Sequence, residues 1–110
     1  MKLPNQERAV IAPDKLVQYL LNTIHKRGGH KARVLRDFGY DIALWQQLQS
    51  DIRRFHLNAE VEVVRQTLYG TRFEIRAPLH TPNGRILTVR TVWQIDEGTD
   101  FPRFITLFPD

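Results

Sequence analysis

The 110-residue chain is 42% hydrophobic and 25% charged, values that fit one small globular domain and argue against wholesale disorder. With no cysteine it can form no disulfide, thiolate nucleophile or cysteine-ligated metal site. A formal charge of +4 and a pI near 9.9 favour an anionic partner without choosing between nucleic acid, a membrane surface and an acidic protein.

The start Met1-Lys2-Leu3-Pro4-Asn5 has no apolar run, and no stretch approaches transmembrane length, so a cytoplasmic domain without a membrane partner is expected. Residues 1–12 read as an arm, with Ala9-Val10-Ile11-Ala12 able to pack or add a short strand. Pro13 suits the first turn of a helix, where its missing amide hydrogen costs nothing. Leu16, Tyr19, Leu20 and Ile24 then give helical spacing to about Asn22 or Ile24, with Tyr19 at the edge of the core.

His25 to Arg36 holds two histidines, five cations (Lys26, Arg27, Lys31, Arg33, Arg36), the pair Gly28-Gly29 and no acid. The glycines break the first helix, and a second is expected from about His30 to Phe38, ended by Gly39. Histidine exchanges a proton near neutral pH, and fixed cations beside it suit a phosphate-bearing substrate. A solvated, positively charged helix–helix connection accounts for the same residues.

Asp41 can cap a third helix over about Ile42 to Phe55, where Leu44, Trp45, Leu48, Ile52 and Phe55 recur at three- and four-residue intervals. His56 follows as that helix ends and could cap it. After Asn58 the period moves toward two. Val61, Val63 or Val64 make a possible short strand. Phe73, Ile75 and Ala77 alternate with Arg72, Glu74 and Arg76 as in a half-buried strand.

Thr81-Pro82-Asn83-Gly84 is a turn, with Asn-Gly suited to positive backbone dihedrals. The next strand, 85–95, puts Leu87, Val89, Thr91, Trp93 and Ile95 on one face. Ile86, Thr88, Arg90, Val92 and Gln94 lie on the other, which is apolar enough for helices to cover part of it. An acidic turn at 96–100 precedes a last strand ending near Phe108. The fold class is therefore α+β: two or three N-terminal helices packed on an antiparallel sheet of three or four strands, as a single domain over 1–110.

No Walker loop, Rossmann fingerprint, zinc helix or calcium loop is present, and four scattered histidines establish no metal site; neither metal nor cofactor is expected. Metal-free RNA cleavage needs a base for the 2′-hydroxyl, an acid for the leaving 5′-oxygen, and cations for the phosphoryl oxygens. His30 is the best acid or base, with His25 a potential partner. Arg72, Arg85 and Arg90 are candidate phosphate contacts beside Lys31 and Arg33. Thr91 and Thr106 are candidate hydrogen-bond donors from strands.

The blocks Leu3-Pro4-Asn5, Lys15-Leu16-x-x-Tyr19-Leu20-Leu21-Asn22, Gly29-His30-Lys31-Ala32-Arg33-Val34, Pro82-Asn83-Gly84-Arg85, Val89-Arg90-Thr91-Val92-Trp93 and Pro102-Arg103-Phe104-Ile105-Thr106 resemble the bacterial domain family DUF6883. Such domains occur alone and at the ends of larger toxin-like proteins. The layout also resembles the compact RNase toxins grouped with barnase, the RelE toxins, EndoU and the tRNase colicins.

These resemblances imply a metal-independent endoribonuclease toxin with RNA as substrate and a cognate antitoxin or immunity protein as partner. The alternative is a non-catalytic nucleic-acid- or protein-binding module of such a system. His30, Lys31, Arg90 and Thr106 match the recurring polar positions. Where relatives often read Asn-x-x-His-Pro-x-Gly, this chain has Asn22-Thr23-Ile24-His25-Lys26-Arg27-Gly28, which loosens the loop around His25.

Overall fold

The computed structural model describes residues 1–22 and 29–110. A helical layer packs on one face of a four-stranded antiparallel sheet whose strands follow chain order, β1 (Val63–Thr67), β2 (Gly70–His80), β3 (Ile86–Asp96) and β4 (Arg103–Pro109). The layer holds a π-helix (Lys15–Leu20), α1 (Gly29–Asp37) and α2 (Trp45–His56). This is the α+β arrangement that the switch from helical spacing to alternation predicts.

Each helix forms where its apolar spacing repeats. Leu16 and Leu20 of the π-helix, Leu35 of α1, and Leu48 and Ile52 of α2 are almost completely buried against Ile75, Val89, Trp93 and Leu107 of the sheet. Burial of each such side chain contributes on the order of 1.5–3 kcal/mol. The first helix departs from expectation in kind: the amide of Leu21 bonds to the carbonyl of Leu16 at 2.8 Å, five residues back. The extra residue per turn marks a π-helix, a geometry common at functional sites.

Asp41 caps as expected, its side chain accepting from the Ala43 amide at 2.8 Å to open a 3-10 turn (Ile42–Leu44) that leads into α2. At the 81–84 turn only Gly84 takes a positive φ, of 87°. Asn83 instead works through its side chain, accepting from the Arg85 amide and donating to the Asp37 carbonyl, which docks the turn on the end of α1.

The arm adds two isolated bridges rather than a strand: Lys2 pairs antiparallel with Glu60, and Val10 pairs in parallel with Arg103 through bonds to Pro102 and Phe104. One end of the β4 edge is thereby satisfied. The rest of that edge faces the π-helix and α1, and there the register shifts. Val92 pairs with Thr106 and Trp93 with Phe104, so Ile105 is the extra residue of a bulge.

No helix lies on the outer sheet face among the described residues. Val92 and Gln94 are buried there, among the long side chains of Arg72, Arg90 and Arg103 and the carboxylates that pair with the last two. Among the described residues no helix is long and apolar enough to cross a membrane.

Candidate functional site

At the bulged edge of β4 an open groove of about 640 Å³ is lined by Asp14, Lys15, Gln18, Tyr19, Lys31, Ile105 and Thr106. Lys15, Gln18 and Tyr19 come from one side of the π-helix, and the bulge turns the consecutive residues Ile105 and Thr106 to the same space. α1 contributes Lys31 from its first turn.

The Lys31 ammonium is the centre of this groove. It donates to the Thr106 hydroxyl at 3.2 Å and to the Tyr19 hydroxyl at 3.5 Å. It also lies 5.3 Å from the ring centre of Tyr19 and 5.7 Å from that of Phe108. Each such ring contact contributes about 0.5–1 kcal/mol at an exposed site. Among the described residues no carboxylate forms an ion pair with Lys31. The charge is held in position by hydroxyls and ring faces, and remains available to an anion.

His30 is exposed on the same first turn. Adjacent helix residues are about 100° apart around the axis, so His30 lies on the adjoining face of the helix and does not line the groove. Arg33, two positions on, is exposed about 200° from Lys31. His25 lies outside the described residues.

The strand register places Arg90 on the same sheet face as Thr106, one strand inward, with Phe108 as its β4 partner. Arg90 is only 14% exposed and meets three carboxylates, Glu62 at 2.8 Å, Asp110 at 3.2 Å and Glu74 at 3.3 Å. The Glu62 hydrogen bond leads the effects that raise its pKa above the ordinary arginine value. Arg72 shares this outer face and donates to Gln94 Oε1 at 3.1 Å, while its Nε is buried without a partner among the described residues.

Arg103 donates to Asp96 at 2.6 Å, which holds that carboxyl below its usual pKa. Along the chain the five arginines from 65 to 90 meet one acid, Glu74. In space Glu62 and Asp110 come from outside that run to pair with its sheet-face arginines, while Asp96 pairs with Arg103.

Two further candidates also lie apart from the groove. Arg85 stacks on Phe38, 4.3 Å from the ring centre, and donates to the Asp37 carbonyl at 3.3 Å, where it covers the end of α1. Thr91 faces the helical layer and is completely buried. Its hydroxyl accepts from Trp93 Nε1 at 2.9 Å and lies 2.8 Å from His56 Nδ1.

Because His56 Nε2 lies 3.1 Å from the Ala77 carbonyl, which can only accept, Nε2 carries the proton. Nδ1 therefore accepts from Thr91. Burial of this ring lowers its pKa to about 4, so His56 is a neutral core residue at physiological pH.

The groove residues Lys15, Gln18 and Tyr19 are absent from the sequence-derived candidates. A signal for them exists: they recur at i, i+3 and i+4, the spacing that shares a helical face. A second concavity, lined in part by Gln47, Asp51, Arg54 and His80, has its acid committed, because Asp51 accepts from Tyr40 at 2.7 Å and Gln47 at 3.1 Å. Among the described residues no three His, Cys, Asp or Glu side chains converge as a metal-binding group.

Fold and groove together define a small α+β domain with a polar, cation-centred cleft on the edge of an antiparallel meander. The chain belongs to the DUF6883 family, described as a domain of unknown function, whose profile matches residues 2–110. It has no match among curated proteins. Among solved structures it is similar to a chain of the contact-dependent growth inhibition toxin–immunity protein complex from Klebsiella pneumoniae 342. The two have a TM-score of 0.69 and 16% identity, over 92% of this chain and 99% of that chain. At that identity the likeness is one of fold.

Proposed function

We propose that this domain is a metal-independent endoribonuclease toxin, restrained by a cognate antitoxin or immunity protein and acting on RNA in the cytoplasm. The observation that carries the reading is the Lys31 ammonium, fixed by Thr106 and Tyr19 in an open groove without an ion-pair partner among the described residues. The fold shared with a chain from a toxin–immunity complex supports it by analogy.

In this reading the scissile phosphodiester lies over Lys31. The 2′-oxygen attacks phosphorus, the P–O2′ bond forms as the P–O5′ bond breaks, and the products end in a 2′,3′-cyclic phosphate and a 5′-hydroxyl. Lys31 neutralises charge growing on the non-bridging oxygens, and Thr106 orients it. His30, on the adjoining face of the same α1 turn, is the principal group to take or give a proton where the RNA strand bends around that turn, because histidine alone exchanges readily near neutral pH. Tyr19, in contact with Lys31, is the second. Arg90 adds positive charge from the sheet face once one of its three carboxylate partners moves aside.

Induced expression followed by mapping of RNA ends tests the reading, with EDTA-resistant cleavage by the purified protein as its biochemical arm. Wild type arrests growth and leaves discrete cuts. Lys31→Met lowers cleavage by about 10²–10³-fold, the effect of removing one oxyanion-stabilising group, while its melting temperature stays near that of wild type. His30→Ala and Tyr19→Phe each lower it as well. Protein freed of any inhibitor that cuts no cellular RNA refutes the enzyme, and Lys31→Met cutting like wild type refutes the site.

The exposure of His30 outside the groove favours one second reading, a non-catalytic RNA-binding module. Salt-sensitive binding with no cleavage by any preparation would establish that module instead.

A further inference from the structure

The outer sheet face contains an arrangement that the groove does not use. Arg76 and Arg90 are direct cross-strand partners. Like charges placed opposite each other repel unless an anion lies between them. Here one does: a single oxygen of Asp110 accepts from Arg76 Nε at 3.1 Å and from Arg90 Nε at 3.2 Å. The other two donor groups of Arg90 are committed, Nη1 to Glu74 and Nη2 to Glu62, so the Nε edge is the one the Asp110 carboxylate meets.

Two guanidinium edges converging on one oxygen suit phosphate as well as carboxylate. The site is accessible, since the side chains of Arg76 and Asp110 are 47% and 35% exposed. It is also next to the groove. Phe108 pairs with Arg90 across β3 and β4, and the ring of that same Phe108 lies under the Lys31 ammonium.

Charge balance shows what displacement does. The cluster holds three arginines, Arg65, Arg76 and Arg90, against three carboxylates, Glu62, Glu74 and Asp110. With Asp110 swung out, the cluster is one positive charge in excess, which one phosphodiester restores to neutrality.

We propose that Arg76 and Arg90 form an RNA phosphodiester subsite beside the Lys31 groove, occupied in the free protein by the Asp110 carboxylate as an intramolecular mimic that RNA displaces. The ligand class rests on the ribonuclease reading, but the test needs no cleavage.

The probe is a labelled, uncleavable 2′-O-methyl RNA oligonucleotide, titrated by fluorescence anisotropy over a range of salt. Asp110→Asn binds it about threefold or more tightly than wild type. Its plot of log affinity against log salt is steeper by about 0.7, the increment for one further phosphate contact on a single strand. Adding Arg76→Gln to Asp110→Asn abolishes both gains.

Glu97→Gln, which removes a charge from the far end of β3, produces neither gain. Unchanged affinity and slope in Asp110→Asn overturn the proposal, as does a gain that survives Arg76→Gln or is matched by Glu97→Gln. Circular dichroism confirms that each variant is folded. If RNA is never cut but the Asp110 and Arg76 effects hold, the anion site stands and the endonuclease falls. If RNA is cut but those effects are missing, the subsite alone falls.

Discussion

The neutral, buried His56 makes the stability of the fold depend on pH in a way that can be worked out from its contacts. Its ring is completely buried, with Nε2–H donating to Ala77 and Nδ1 accepting from Thr91. Protonation would put a second N–H against a hydroxyl whose own hydrogen then has no partner. It would also charge a group away from water, which is why burial lowers the pKa from 6.5 to about 4.

Between those two values the unfolded chain binds a proton that the native state refuses, so stability rises with pH across the window and falls as the solution is acidified. The full effect below pH 4 is about 3 kcal/mol, from about 1.4 kcal/mol per pH unit of separation. About 2 kcal/mol of it is already lost at pH 5. The lowered carboxyls Glu60, Asp96 and Asp100 lose their contribution only further down, from their ordinary values of 4.5 and 3.8 toward lower pH.

Urea unfolding at pH 7.5, 6 and 5 measures the effect, with His56→Gln as the comparison because it retains a donor and an acceptor but does not titrate. Wild type loses about 2 kcal/mol more than the variant over that range. Imidazole carbon shifts of His56 stay at neutral values until the protein unfolds. Equal pH dependence in the two proteins, or a His56 titration near 6.5 in the folded state, would refute the reasoning.

The same hub predicts that Thr91→Val destabilises by about 2–6 kcal/mol in urea at pH 7.5, because it strands two buried ring nitrogens, of His56 and Trp93, at about 1–3 kcal/mol each. Gly70→Ala costs about 2 kcal/mol or more in the same assay. Gly70 has a φ of 143°, and an added Cβ would stand 2.1 Å from the Ile95 carbonyl oxygen. A Gly70→Ala variant as stable as wild type would contradict that contact.

Much of the fold is legible in the chain because burial writes a period into it. The three- and four-residue spacing from Leu44 to Phe55 becomes α2, and the alternation from Phe73 and from Leu87 becomes two paired strands. That alternation also puts Thr91 among Leu87, Val89 and Trp93, and there it is found, facing the helices. The π-helix leaves no such trace. Leu16 and Leu20 keep ordinary helical spacing, while the widening shows only in which carbonyl the Leu21 amide reaches. Tyr19 is equally ambiguous in sequence, since a ring at a core edge and one lining a groove occupy the same helical position.

Charge was the least legible property, because sign and spacing along a chain do not give pairing in space. Arg90 sits in a stretch with a single acid, yet it has three carboxylate partners from Glu62, Glu74 and Asp110. Lys31, in a stretch with none, finds none among the described residues. The two basic segments therefore fold into different objects. The sheet arginines form a near-neutral lattice that covers Val92 and Gln94, and an anion can enter it only by displacing one of its acids. On the helical layer Lys31 has no acid to displace, so an approaching phosphate meets its charge first. That order of engagement, Lys31 before Arg90, follows from pairing alone. It predicts that Lys31→Met weakens oligonucleotide binding in wild type and in Asp110→Asn alike, whereas Arg76→Gln weakens it more once Asp110 is neutral.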